Sequence, residues 1–250
     1  MLPFTVLAAI LVSNTSTPIV PPLLPSADQR AISFQPVLDY DNDNCFFTAA
    51  IDKDNQTNFG LENPKDFKMC RQMDRIDFSN AYVRSLCNNR WCAYMYAYYA
   101  EKSGKRGHQH DWQHAIAWTR NHTYLYDQAL PPQEELHSIS WSNHGKYTTK
   151  PISDDQVRLY NKTHVKLVYH KVNRGDRIEL RLAKKKDDKI ENPKGMWLSA
   201  PLVNITSDAP KLFETNFGYV AMDFKDPFFA RVLNKAMPDE AKGEFDPGNK

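Results

Sequence analysis

The sequence is poor in the features that announce an enzyme or a membrane span. It has no H-E-x-x-H zinc-protease spacing and no nucleophile elbow. Its four cysteines include no C-x₂-C pair, so the thiols argue against a zinc module. Charge of one sign is also lacking: 32 Lys and Arg against 30 Asp and Glu leave a net charge of +2. That balance gives no case for bulk nucleic-acid binding. No internal repeat is present. Outside the N-terminus, no stretch is apolar enough to span a bilayer.

What is present fits one domain. The 250 residues are ample for a single core, and 12 Tyr, 13 Phe and 5 Trp lean toward strands and aromatic-lined surfaces. Leu2–Val12 is apolar, of signal-peptide length, and too short to span. Residues 1–17 are therefore expected to be a signal peptide, with Ser26-Ala27 offering a later processing point. Residues 18–31, Pro-rich, are expected to be a loose leader. The folded domain is expected over 32–238, and 239–250 as a loose polar tail.

Export suits the cysteines. Cys45, Cys70, Cys87 and Cys92 allow three pairings. Cys45–Cys70 with Cys87–Cys92 is favoured because each closes a modest loop, at about 2–4 kcal/mol of stabilisation per bridge. Sequons at Asn55, Asn121, Asn161 and Asn204 are compatible with a glycosylated exterior.

Short alternating segments dominate the rest. Ala93–Tyr99 and Gln113–Asn121 read as strands, as do Val165–Tyr169 and Arg177–Ala183, with Pro227–Ala236 a short helix. This points to a mainly β protein, a β-sandwich with a few flanking helices. Asp39, Asp41 and Asp43 alternate like the start of a calcium loop, but the Gly and distant Glu of an EF-hand are missing. A surface acidic loop explains them equally well. Lys184–Lys189 reads as a solvated turn, with a lipid-contacting patch as the sharper alternative.

The densest chemistry lies in Gly107-His108-Gln109-His110-Asp111-Trp112-Gln113-His114. Strand alternation puts Asp111 and Gln113 on one face and His110, Trp112, His114, Ile116 and Trp118 on the other. Asp111 and Gln113 could share a cation site of the Mg²⁺ or Ca²⁺ type. Bringing His108 to that face requires an irregular lead-in, which Gly104 and Gly107 allow. The plainer reading is that Trp112, Ile116 and Trp118 fill a core while the polar residues face water.

These residues also carry a resemblance. Gly107–Gln113 resembles the Gly-His-Arg-His-Asp-Trp-Glu heptapeptide of the necrosis- and ethylene-inducing-peptide-like proteins. Ala93–Lys102 resembles the tyrosine-rich segment that precedes it in that family. His144-Gly145-Lys146-Tyr147, Glu191–Trp197 and Asn216–Asp226 are similar to further family elements. The Asp-rich 39–43 segment and Cys87–Cys92 resemble the four-cysteine subgroup.

The resemblance implies an actinoporin- and lectin-like sandwich and a secreted cytolysin rather than an enzyme. Its implied partners are the glycosylinositol phosphorylceramide headgroups of plant sphingolipids, seated with the help of Mg²⁺ or Ca²⁺. Plant immune receptors are further candidates, and the chain is expected to be a monomer in solution. Mapped residue by residue, the cation pocket is His108, Asp111, Gln113 and Ser103. The last two stand where the family has carboxylates, and Glu101 is a candidate substitute. His144 and Trp197 are candidates for sugar contact. Two missing carboxylates predict weak or lost cation binding and reduced lysis. The alternative function is then a non-cytolytic, sugar-binding or immune-perceived secreted protein. A metal-dependent hydrolase using His108, His110 or His114 with Asp111 ranks last.

Overall fold

In the computed structural model, which describes residues 18–62, 64–122, 133–143, 145–172 and 177–249, the tyrosine-rich segment is an inner strand buried along its whole length. The element order is α1 (Gln29–Ser33), β1 (Val37–Tyr40), β2 (Phe47–Thr48), a 3₁₀ turn (Pro64–Arg71), α2 (Met73–Asp77), β3 (Ala81–Asn88), β4 (Trp91–Lys102), β5 (Gln109–His122), β6 (Gln133–Asn143) and β7 (Lys146–Pro151). β8 (Leu159–Tyr160), β9 (His164–Lys171), β10 (Ile178–Leu182), β11 (Leu202–Asn204), α3 (Ile205–Asp208), α4 (Lys211–Glu214) and α5 (Phe228–Ala236) follow.

Two sheets result. The larger has seven strands in the order β11-β3-β4-β5-β6-β7, with β2 beside β4. The smaller has four, β1-β9-β10 with β8 beside β9. The expected sandwich is thus present, and alternation along β4 explains its layers. Tyr94, Tyr96 and Tyr98 enter the core between the sheets, where Leu167, Tyr169 and Leu180 meet them. Trp91, Met95 and Tyr99 enter a second core on the opposite face. α5 covers that face with Phe229, Val232, Leu233 and Ala236, a spacing that places all four on one helical stripe.

The disulfides are Cys45–Cys70 and Cys87–Cys92, the favoured pairing. The second joins residues directly opposite each other on β3 and β4.

Both expected loose ends need correction. Residues 18–31 are part of the fold: Val20 is buried, Leu23 N–H donates to Asn80 Oδ1 at 2.7 Å, and the Ser26 and Ala27 amides donate to Leu202 O. Asp28 caps α1 by accepting from the Ala31 amide. The prolines of this segment are compatible with an extended course held by the Asn80 side chain and the Leu202 carbonyl. Residues 239–249 dock as well. Phe245 is buried against Trp118, and Glu244 accepts from Trp91 Nε1 at 3.0 Å. Residues 1–17 lie outside the described residues.

Candidate functional site

Gly104 and Gly107 shape the approach to the site. Gly104 has φ +63°, and a Cβ at Gly107 would lie 1.9 Å from Ser103 O, so only glycine fits there. The loop closes through Ser103 N–H donating to His108 O at 3.0 Å. His110, the second residue of β5, has φ +59°, a second irregularity that spacing did not reveal. Together these turns move His108 off the strand's alternation and toward the Asp111 face.

The consequence is one cavity of about 310 Å³ lined by Ser103, His108, Asp111 and Gln113. The sequence-derived set is therefore brought together. Trp112, His114, Ser142, Gly145, Ile178, Tyr219, Val220, Ala221 and Asp223 complete the walls. Sequence reasoning missed the groups that hold the set in place. Tyr169, seen only as the end of an apolar strand face, donates its hydroxyl to Asp111 Oδ2 at 2.5 Å. Burial, and then the Asp111 charge, raises the Tyr169 phenol far above its ordinary value, so it remains a donor.

Gln113 is oriented by its partners. Ser142 Oγ accepts the His114 amide at 3.0 Å and donates to Gln113 Oε1 at 3.2 Å. Gln113 Nε2 then faces two acceptors, Asp111 Oδ2 at 3.0 Å and Ile178 O at 3.5 Å. Its amide therefore offers N–H groups to Asp111, and its oxygen is used by Ser142. His108 Nδ1 donates to His110 O at 2.8 Å, which leaves Nε2 as the lone-pair nitrogen.

Asp223 is a second carboxylate on the cavity wall. It accepts from Tyr147 OH at 2.6 Å and lies 3.9 Å from His114 Nδ1. Burial lowers the proton affinity of His114, an effect partly opposed by Asp223. His110, on the helix side against Tyr99 and Phe217, is pushed down to about 4 by burial and by His108.

The donor set does not fit a hard dication. Among the described residues no three His, Cys, Asp or Glu side chains are grouped to hold a metal. Oδ2 of Asp111 is already supplied by two donors, and Gln113 turns its N–H groups rather than its oxygen toward it.

Several sequence candidates fall elsewhere. Glu101 cannot replace the missing carboxylate: it is buried against Arg75, with Nε to Oε2 at 3.0 Å. The Asp39, Asp41 and Asp43 calcium site is also corrected. Asp39 accepts from the Glu191 and Asn192 amides and from Asn192 Nδ2 at 3.0, 3.1 and 2.7 Å. Asp41 pairs with Arg181 at 3.4 Å, and Asp43 faces solvent. The carboxylates thus tie loops together. Trp197 does not line the cavity; Lys166 Nζ sits 5.1 Å over its ring. His144 lies outside the described residues. Among the sequons, Asn55 and Asn161 are exposed, Asn121 is half-buried, and Asn204 caps α3.

Comparison with known proteins gives a consistent result. A family model described as "Necrosis inducing protein (NPP1)" matches residues 28–236. "NLP effector protein 10" of Phytophthora capsici is 32% identical over 148 residues, 58% of this chain and 59% of that protein. The match therefore spans less than two thirds of that relative. Among solved structures, NLPPya in complex with glucosamine superposes with TM-score 0.67 at 24% identity, covering 88% of this chain and 96% of that one. HaNLP3, described as non-toxic, superposes with TM-score 0.65 at 21% identity, over 88% and 97% of the two chains. At these identities the superpositions establish the fold.

Proposed function

The chain belongs to the necrosis inducing protein (NPP1) family, and on that footing we propose that it is a secreted, non-cytolytic member that binds sugar hydroxyls in the Asp111 cavity without a resident cation. The sugar is the terminal ring of a plant sphingolipid headgroup of the glycosylinositol phosphorylceramide class. The carrying observation is the hydrogen bond from Gln113 Nε2 to Asp111 Oδ2. A carboxylate so supplied has its charge spread over N–H and O–H donors. It can accept a sugar hydroxyl while Ser103 and His108 engage neighbouring ones. The two disulfides suit an oxidising compartment, which supports export. Nothing in the cavity calls for bond cleavage, so the protein is read as a binder and not an enzyme.

HaNLP3, described as non-toxic, shares the fold, so the architecture alone does not decide lysis and the site is the place to read it. A second reading, the cation-dependent cytolysin, is favoured by Asp223, whose carboxylate stands on the same cavity wall as Asp111. Immune perception of Ala93–Gln113 requires release of that segment, because β4 is buried throughout in the folded protein.

Calorimetric titration with Mg²⁺ and Ca²⁺ separates the two readings. Wild type is expected to give no heat at micromolar cation, whereas Gln113→Glu gains binding. Micromolar binding by wild type that is lost in Asp223→Asn would establish the second reading.

A further inference from the structure

A larger hollow of about 750 Å³ lies elsewhere and shares no lining residue with the Asp111 cavity. It lies beside β10, which pairs with β9 alone in its sheet. Trp141 and Lys150, on β6 and β7, form the opposite wall, and residues 155–158 and 183–188 close it. Its size is within the range of about 300–1,000 Å³ common for small-molecule sites.

The polar groups of this hollow are fixed before any ligand arrives. Arg158 donates to Asp188 Oδ2 at 2.9 Å and to Lys184 O at 2.8 Å. Arg181 forks onto both oxygens of Asp187 at 2.6 and 2.9 Å. The His170 ring is held by Nδ1 donating to Lys171 O at 3.0 Å, and its buried Nε2, 3.3 Å from Glu179 Oε1, makes no hydrogen bond among the described residues. Such planar, paired side chains suit the adjacent hydroxyls of a sugar ring, and Trp141, Leu182 and Ala183 supply an apolar strip for its carbon face.

Charge is uneven along the hollow. Lys150, Arg158 and Arg181 are each matched by a carboxylate. The ammonium groups of the exposed Lys184 and Lys185 form no ion pair among the described residues, so the basic end of the hollow is theirs, while Asp155 and Glu179 are the other carboxylates of its lining. Strand addition by a peptide is disfavoured, because the Ile178 and Leu182 carbonyls are already engaged by Gln113 and Arg181.

We propose that this hollow is a second carbohydrate site, which takes an acidic oligosaccharide with its carboxylate at Lys184–Lys185, its carbon face over Trp141 and its hydroxyls toward Arg158 and Glu179. It goes beyond the Asp111 cavity and does not depend on the reading of that site.

The test is calorimetry at low salt with three probes: a uronic-acid trisaccharide, its neutral counterpart and a tri-glutamate peptide. The acidic sugar is expected to bind wild type, with the neutral one weaker. Lys184→Ser/Lys185→Ser should weaken it about tenfold, as loss of charge-assisted contacts implies. Melting temperature should not change, and Asp111→Asn should bind as wild type does. Absence of binding by the acidic sugar, undiminished binding in the lysine double variant, or loss in Asp111→Asn would overturn the proposal. Equal binding of tri-glutamate would also overturn it, in favour of a peptide contact.

Discussion

Gln113 donates from Nε2 to Asp111 Oδ2 at 3.0 Å, and this one contact changes the electrostatic character of the cavity. Two carboxylates at such a distance must share a proton or a cation. An amide beside a carboxylate needs neither. The family resemblance supplies the carboxylate pair, and this chain supplies the donor–acceptor pair in its place.

The first prediction follows from reversing that exchange. Gln113→Glu should be destabilised by about 1–3 kcal/mol in chelator, because a donor to a buried carboxylate is lost and a like charge is added. Mg²⁺ or Ca²⁺ should restore its melting temperature and leave wild type unchanged. Thermal melting with and without chelator reads both effects.

Tyr169→Phe tests the second donor to Asp111 Oδ2. The hydroxyl is buried and its loss leaves the carboxylate short of a partner, so the expected cost is about 1–3 kcal/mol. Sugar binding should weaken with it, since the carboxylate is no longer held in place. Denaturant unfolding and sugar titration measure the two consequences.

Glu101 should behave as a structural partner of Arg75. Both side chains are almost wholly buried, at 2% and 1% exposure, so Glu101→Ala leaves a buried guanidinium short of one partner. A loss of about 3–5 kcal/mol is expected in denaturant unfolding. Cation addition should not alter that loss, as it would if Glu101 were a ligand.

His110 predicts a pH dependence with a definite sign. Its folded value is lowered to about 4 from an ordinary value of 6.5. Above 6.5 both states hold it neutral, and its neutral burial is fully favourable. As pH falls below 6.5 the unfolded chain takes up a proton that the folded chain refuses, so stability declines toward pH 4. His114, also lowered by burial, acts in the same direction. His110→Asn, which tolerates the positive φ and does not titrate, should flatten part of this slope in melting temperature against pH.

Much of the fold was legible because strands print their burial in the sequence. The alternating Val165, Leu167 and Tyr169 enter the inter-sheet core, and Phe229, Val232 and Leu233 mark α5 at helical spacing. The ends were misread because composition reports propensity and not docking. Val20 lies among prolines and Phe245 is a lone apolar residue in polar surroundings, and only tertiary contacts bury them. At the site, local spacing found Asp111, Gln113 and, through the glycine-bounded lead-in, His108, and the family resemblance added Ser103. It could not find Tyr169, Ser142 or Asp223, which reach the cavity from strands and loops distant in the chain. Asp39 and Glu101 looked like ligands because a free carboxylate and one committed to a loop amide or an arginine are identical in sequence.

The central claim, sugar binding without a cation and without lysis, is tested most directly with dye-loaded vesicles containing glycosylinositol phosphorylceramides. Co-sedimentation and leakage are read together, in Mg²⁺ or Ca²⁺ and in chelator. The account predicts that the protein sediments with the vesicles in both conditions and releases no dye. Leakage in the presence of cation that chelator abolishes, together with the binding, would contradict it.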